Sequence, residues 1–167
     1  MKKTTINIFS ENIHPNRKID EKLAIDTSRK LLEYYMSDSE VCDNSCLFGE
    51  DYHTISFDFL FTDSVKTHEI NKEYRNKDYE ADIITFSIFA DGDEKFIFDG
   101  EINLGEIIIS LDKVEKNAAE KGVEFLCELN FLMSHGIMHL LGFDHQTEKD
   151  YNFIIEAQNR ALDSIKG

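Results

Sequence analysis

The chain is poor in the residues that punctuate or staple a fold. It has one proline, Pro15, and three widely placed cysteines, Cys42, Cys46 and Cys127. An odd, scattered set of cysteines offers no disulfide framework. Cys42 and Cys46, without a second Cys/His pair nearby, make a poor zinc site and read as loop residues. No internal repeat, low-complexity tract or linker is recognisable, so 167 residues are expected to form a single domain, 1–167. Basic residues are also scarce: 18 against 33 acidic ones, a formal charge of −15. That balance favours solubility and argues against generic nucleic-acid binding through a basic surface. Long apolar runs are missing too. The most apolar stretch, Val123 to Leu141, is interrupted by Glu124, Glu128, Asn130, His135 and His139, which suits a buried helix and not a membrane span. No apolar core follows Lys2 and Lys3, so the N-terminus does not read as a secretion signal. A soluble cytoplasmic protein with no membrane partner is expected.

What is present is a globular composition, 41% hydrophobic and 11% aromatic. Thr4 to Phe9 alternates as a short strand with Ile6 and Ile8 on one face. From about Arg17 to Met36, Ile19, Leu23, Leu31 and Tyr35 recur at helical spacing, and Ser37 to Tyr52 reads as an irregular loop. The strict alternation of Ile55, Phe57, Phe59 and Phe61 predicts a strand over 54–61. A short helix is expected from Ser64 to Tyr74, then strands at 83–89 and 105–110, separated by the turns Asp91-Gly92-Asp93 and Asp99-Gly100. From Leu111 the chain reads helical: one helix ending near Gly122, a second over 123–141, and a third after Thr147. There, Thr147 and Asp150 have the spacing of a capping box. Strands first and long helices last point to an α+β fold with helices packed on one sheet.

The chemistry concentrates in His135 to His145. His135 and His139, four apart, share one face of a helix, where two imidazoles can bind one ion. Gly142 stops the helix, and the chain can return to bring His145 to a third position. Three neutral imidazoles leave a tetrahedral ion one open site, as catalytic zinc requires. Two other readings stay open on the residues alone: satisfied core histidines, and a structural metal, although structural sites usually have four protein ligands and cysteines. The offsets match the zinc-protease pattern H-E-x-x-H-x-x-G-x-x-H, but Gly136 stands where that motif has its glutamate, and no later methionine follows Met138. Glycine cannot act as a general base, so peptidase chemistry is unsupported. Arg75, in Tyr74-Arg75-Asn76-Lys77-Asp78, is a phosphate-binding candidate, since guanidinium contacts phosphate bidentately. From spacing alone it is only that, because a charged loop is ordinarily solvated. Asp144 can orient a ligand imidazole through its second nitrogen, or serve as a helix-end hydrogen-bonding residue.

The segment His135-Gly136-x-x-His139-Leu140-Leu141-Gly142-Phe143-Asp144-His145 closely resembles the signature of the YbeY family, bacterial metal-dependent endoribonucleases linked to ribosomal RNA maturation. The stretch Glu69 to Asp78, with Asp82-Ile83-Ile84-Thr85-Phe86-Ser87, is similar to that family's L-N-x-x-Y-R-x-K-D and D-V-L-S-F blocks. Gly105 to Ser110 is similar to its G-D-I-x-I strand. These blocks cover roughly Ile55 to His145 in the right order. The resemblance implies one zinc-type ion on His135, His139 and His145, a functional Arg75, and a compact α+β fold with a small mixed sheet. It also implies single-strand-type endoribonuclease activity on ribosomal RNA precursors, with a ribosomal subunit or ribosomal proteins as partners. A ribosome-assembly binding protein with a structural metal, or a zinc-dependent hydrolase of another substrate, are the alternatives. The chain departs from the pattern in three places. Asp78 to Asp82 lacks the usual proline, Glu106 replaces a common aspartate, and Ser37 to Tyr52 is longer than the usual connection.

Overall fold

The computed structural model of the chain describes residues 3–166; the ends of the expected domain, Met1 and Gly167, lie outside them. The elements in order are β1 (Thr5–Asn12), α1 (Glu21–Ser37), α2 (Ser39–Cys42), β2 (Thr54–Thr62), α3 (Ser64–Arg75) and β3 (Ile83–Phe86). After these come α4 (Ile88–Asp91), β4 (Glu101–Ser110), α5 (Leu111–Lys121), α6 (Phe125–Leu140) and α7 (Glu148–Ile165). The sheet order is β1-β2-β4-β3: β1 and β2 pair in parallel, as do β2 and β4, while β3 runs antiparallel to β4. The sheet is therefore mixed, and the class is α+β.

The central strand β2 is apolar on the face that meets the main core, while Ser56 and Asp58 turn to the other, more open face. Ile55, Phe57, Phe59 and Phe61 of β2 are at most 2% exposed and point into the main core. In β4, Ile107 and Ile109 join that core. Ile108, one residue out of phase, packs on the other face with Ile70, Ala81 and Ile84. The large face is covered by α1 and α6, with α7 laid across both; α3 covers part of the opposite face.

Local sequence accounts for most element ends. Asp20, Asp63 and Ser110 each accept a backbone N–H from the first turn of α1, α3 and α5. Thr147 Oγ1 accepts from Asp150 N at 3.1 Å, so the expected cap starts α7. Three details differ from the sequence reading. The buried stripe of α1 is Ala24, Ser28, Leu31, Leu32 and Tyr35, and Leu23 stays exposed because the helix begins only at Glu21 and turns that position outward. The strand at 83 ends at Phe86, opposite Glu106 and beside the irregular register at Gly105, and 88–91 coils into α4. Ser37 to Tyr52 is not a solvated loop: it contains α2 and buries Val41 and Leu47 in the main core. Among the described residues no helix is long and apolar enough to cross a membrane.

Candidate metal centre

The second half of helix α6 is almost wholly enclosed. From Phe131 to Leu140 only positions 131, 135 and 139 are half-buried and the others are buried. Those three recur every four residues, so one narrow stripe of the helix is open, and it carries His135 and His139. Beside that opening, where the helix turns to the sheet, there is no room at position 136. A Cβ on Gly136 would lie 2.9 Å from Ile107 Cγ2 and 3.1 Å from Ile83 Cδ1. Position 136 faces the sheet, so the glutamate of the protease motif could not be housed here, which removes peptidase chemistry on steric grounds as well.

The helix ends in a six-residue reversal. Phe143 N–H donates to Met138 O at 3.1 Å and Gly142 N–H to His139 O at 3.0 Å, with Gly142 at φ +100°. Donors from outside the helix also serve the carbonyls of the last turn. Ser87 Oγ donates to His139 O at 2.9 Å, the Cys46 thiol donates to Leu140 O at 3.6 Å, and Cys46 N–H donates to Leu141 O at 2.8 Å. Burial pushes the Cys46 thiol up to about 11, so it stays a protonated donor. The 37–52 segment thus clamps the end of the histidine helix. Its cysteines join no metal-type cluster among the described residues; His135, His139 and His145 are the set that does.

The reversal brings His145 onto the open stripe. The three Nε2 atoms lie 2.9 Å (135–139), 3.0 Å (135–145) and 3.2 Å (139–145) apart. His139 Nδ1 is 2.8 Å from Phe143 O, an acceptor only, so Nδ1 carries the hydrogen and Nε2 presents a lone pair. His135 Nδ1 stands 2.9 Å from Gln158 Oε1, on α7. Burial holds both imidazoles neutral: His135 is pushed below its usual range, and His139, with His135 beside it, down to about 4. Convergent lone pairs on neutral rings repel unless a cation sits among them. A tetrahedral ion about 2.0–2.1 Å from each nitrogen requires separations of about 3.3 Å, close to those seen. The donor set fits a metal of the zinc type with one position left for a fourth ligand.

The histidines form one wall of a cavity of about 370 Å³. Arg75, Tyr79 and Thr85 line it from α3, the following loop and β3. Arg75 closes α3, and Asn76 caps it in the left-handed conformation at φ +53°. Asn71, fully buried, holds the region: its Oδ1 accepts from Arg75 Nη1 at 3.1 Å and its Nδ2 donates to Tyr79 O at 3.0 Å. Of the four arginines, Arg17, Arg29 and Arg160 pair with Glu115, Asp26 and Asp38. Arg75 makes no carboxylate pair among the described residues, and its charge faces the cavity.

Asp144 does not orient a ligand ring. Its Oδ1 accepts from His145 N–H at 2.8 Å, which also holds its carboxyl below the usual range. The ring partners are Phe143 O and Gln158. Gln158 was missed in the sequence, although it is the one polar residue on the apolar stripe Ile154, Ala157 and Ala161 of α7. That misfit at a core position is the signal that could have found it.

The family described as Endoribonuclease YbeY matches residues 10–166. The Endoribonuclease YbeY of Bacillus pumilus is 44% identical over 100 residues, 58% of this chain and 63% of that protein. Its namesake in Bacillus cereus is 35% identical over 145 residues, 84% of this chain and 93% of that one. The solution structure of a Thermotoga maritima protein superposes with a TM-score of 0.58 at 24% identity, covering 95% of this chain and 87% of that one, a likeness of fold. The matched residues run through both walls of the cavity, and the chain belongs to the YbeY family.

Proposed function

We propose that this chain is a single-domain, cytoplasmic, metal-dependent endoribonuclease that cleaves single-stranded regions of ribosomal RNA precursors, with a ribosomal subunit or ribosomal proteins as partners. The observation that carries the reading is the facing of three convergent imidazoles and one unpaired guanidinium across a single cavity. The names of the relatives, Endoribonuclease YbeY, supply the substrate class. His135, His139 and His145 are the ligands of one zinc ion in this proposal.

Bound there, such an ion supplies Lewis-acid polarisation for attack at phosphorus. Arg75 binds the non-bridging oxygens of the scissile phosphate through the N–H groups that Asn71 leaves available, and stabilises the charge that grows on them. The neutral state of His135 and His139 leaves their Nε2 lone pairs free to hold the ion. The acidic surface is compatible with this reading because the phosphate meets a local positive group inside a cleft, while an overall charge of −15 discourages indiscriminate RNA binding.

The test is cleavage of single-stranded RNA by the zinc-loaded protein beside His139→Ala. Loss of cleavage by at least about 100-fold with an unchanged fold supports the reading. Zinc-loaded protein that leaves RNA intact, alone and with ribosomal subunits, overturns it. The product ends then report the nucleophile, since attack by the 2′-hydroxyl leaves a cyclic phosphate.

A further inference from the structure

We propose that Gln158 is a positioning residue that locks His135 in the tautomer required for metal binding, through a directed hydrogen-bond chain anchored on a backbone carbonyl. The proposal rests on reading the histidine triad as a metal centre.

The direction of the chain follows from donor and acceptor counting. Phe131 O is an acceptor only, and Ser134 Oγ lies 2.7 Å from it, so the single hydroxyl hydrogen points there. Ser134 Oγ is then an acceptor toward its other neighbour, the Gln158 amide 3.1 Å away. Phe131 O lies 3.5 Å from the same amide group. An amide oxygen set against two acceptors would be unsatisfied, so the NH2 group takes that side and Oε1 faces His135 Nδ1 at 2.9 Å. Oε1 carries no hydrogen; His135 Nδ1 must donate. Nε2 is left bare and pointing at His139 and His145.

Ser134 and Gln158 are both fully buried, so a reversed amide would leave orphaned polar groups that no water relieves. That cost is what gives the chain a single direction. It also explains a polar residue on the packing stripe of α7, where an apolar side chain of similar size would fill the space. His139 obtains the same orientation from Phe143 O, a group no substitution removes. Gln158 is the side-chain counterpart, and it ties the metal helix α6 to α7. Both partners are neutral, so the imidazoles are oriented without adding charge.

Two measurements test this on the full chain. Nitrogen-15 NMR of the metal-free protein should show His135 as the Nδ1–H tautomer, and an Nε2–H tautomer overturns the proposal whatever the variants do. Zinc affinity, read by competition with a chromophoric chelator, should fall about 10–100-fold in Gln158→Leu. Unchanged zinc affinity in Gln158→Leu overturns the proposal. If Gln158→Leu does not fold, Ser134→Ala replaces it, with a mixed His135 tautomer expected and an unmixed Nδ1–H form counting against the chain. A parent protein that takes up no zinc overturns the metal reading, while the tautomer still decides the role of Gln158.

Discussion

The two walls of the cavity are built by different means. The histidine wall comes from one short run of chain: an open helical stripe, a glycine reversal, and the return to His145. The arginine wall is assembled from the end of α3, the loop after Asn76 and strand β3, and is held by the single buried side chain of Asn71. One rests on a helix whose other sides are buried, the other sits on an exposed helix end with its charge toward solvent and cavity. A chelating site needs fixed spacing over a few ångströms, which local helix geometry supplies. A phosphate site needs a charge held at a distance from the metal, which only the packing of α3 and the sheet supplies. The walls should therefore fail separately, and substitutions can break or sharpen that separation.

The largest effect is expected at the rear of the histidine wall. Gly136→Glu drives a carboxylate into Ile107 and Ile83, and should destabilise the fold by more than about 3 kcal/mol in urea unfolding. A variant as stable as the parent would mean that α6 does not seat against β4 as described. Next, Arg75→Ala should lower RNA cleavage about 10²–10³-fold while leaving zinc affinity unchanged. Arg75→Lys should recover little, because an ammonium lacks the planar fork. Loss of zinc in either variant would join the two walls and undo the contrast.

A smaller effect follows from acid. In the folded, metal-free protein His135 and His139 titrate below their ordinary range, the latter at about 4. Below pH of about 6.5 the unfolded chain takes up protons that the folded chain refuses. Stability should thus be flat above that pH and decline as pH falls toward 4, by at most about 1.4 kcal/mol per unit for each group. His139→Ala should remove part of this slope and Arg75→Ala none of it, measured by denaturant titration across pH 4–8. The smallest effect belongs to Asp144→Asn. Its carboxylate serves the backbone of His145 and not a ring, so zinc affinity should change by less than about 3-fold, against the 10–100-fold expected of a true ring partner.

The clustering of the three histidines, the glycine that ends α6, the cap of α7 and the alternation of β2 were legible because each depends on spacing within a few residues. Arg75 was visible as a charge with a suitable group, yet what set it apart from the other arginines was the absence of a carboxylate partner among the described residues, a fact of three dimensions. The 37–52 segment looked like a loop because it lacks periodicity. Its role, giving the end of α6 a thiol and an N–H from Cys46, depends on contacts 94 and 95 residues apart.

The order of residues alone determined that two imidazoles would share a helix face and that a third would return beside them, since helical pitch and a left-handed glycine are local properties. Tertiary structure decided which nitrogen of His135 and His139 turns to the centre of the triad, that position 136 turns to the sheet, and that an arginine from another element lines the same cavity. Those outcomes rest on buried polar groups finding partners and on α6, α7 and α3 meeting around one sheet, which no local pattern encodes.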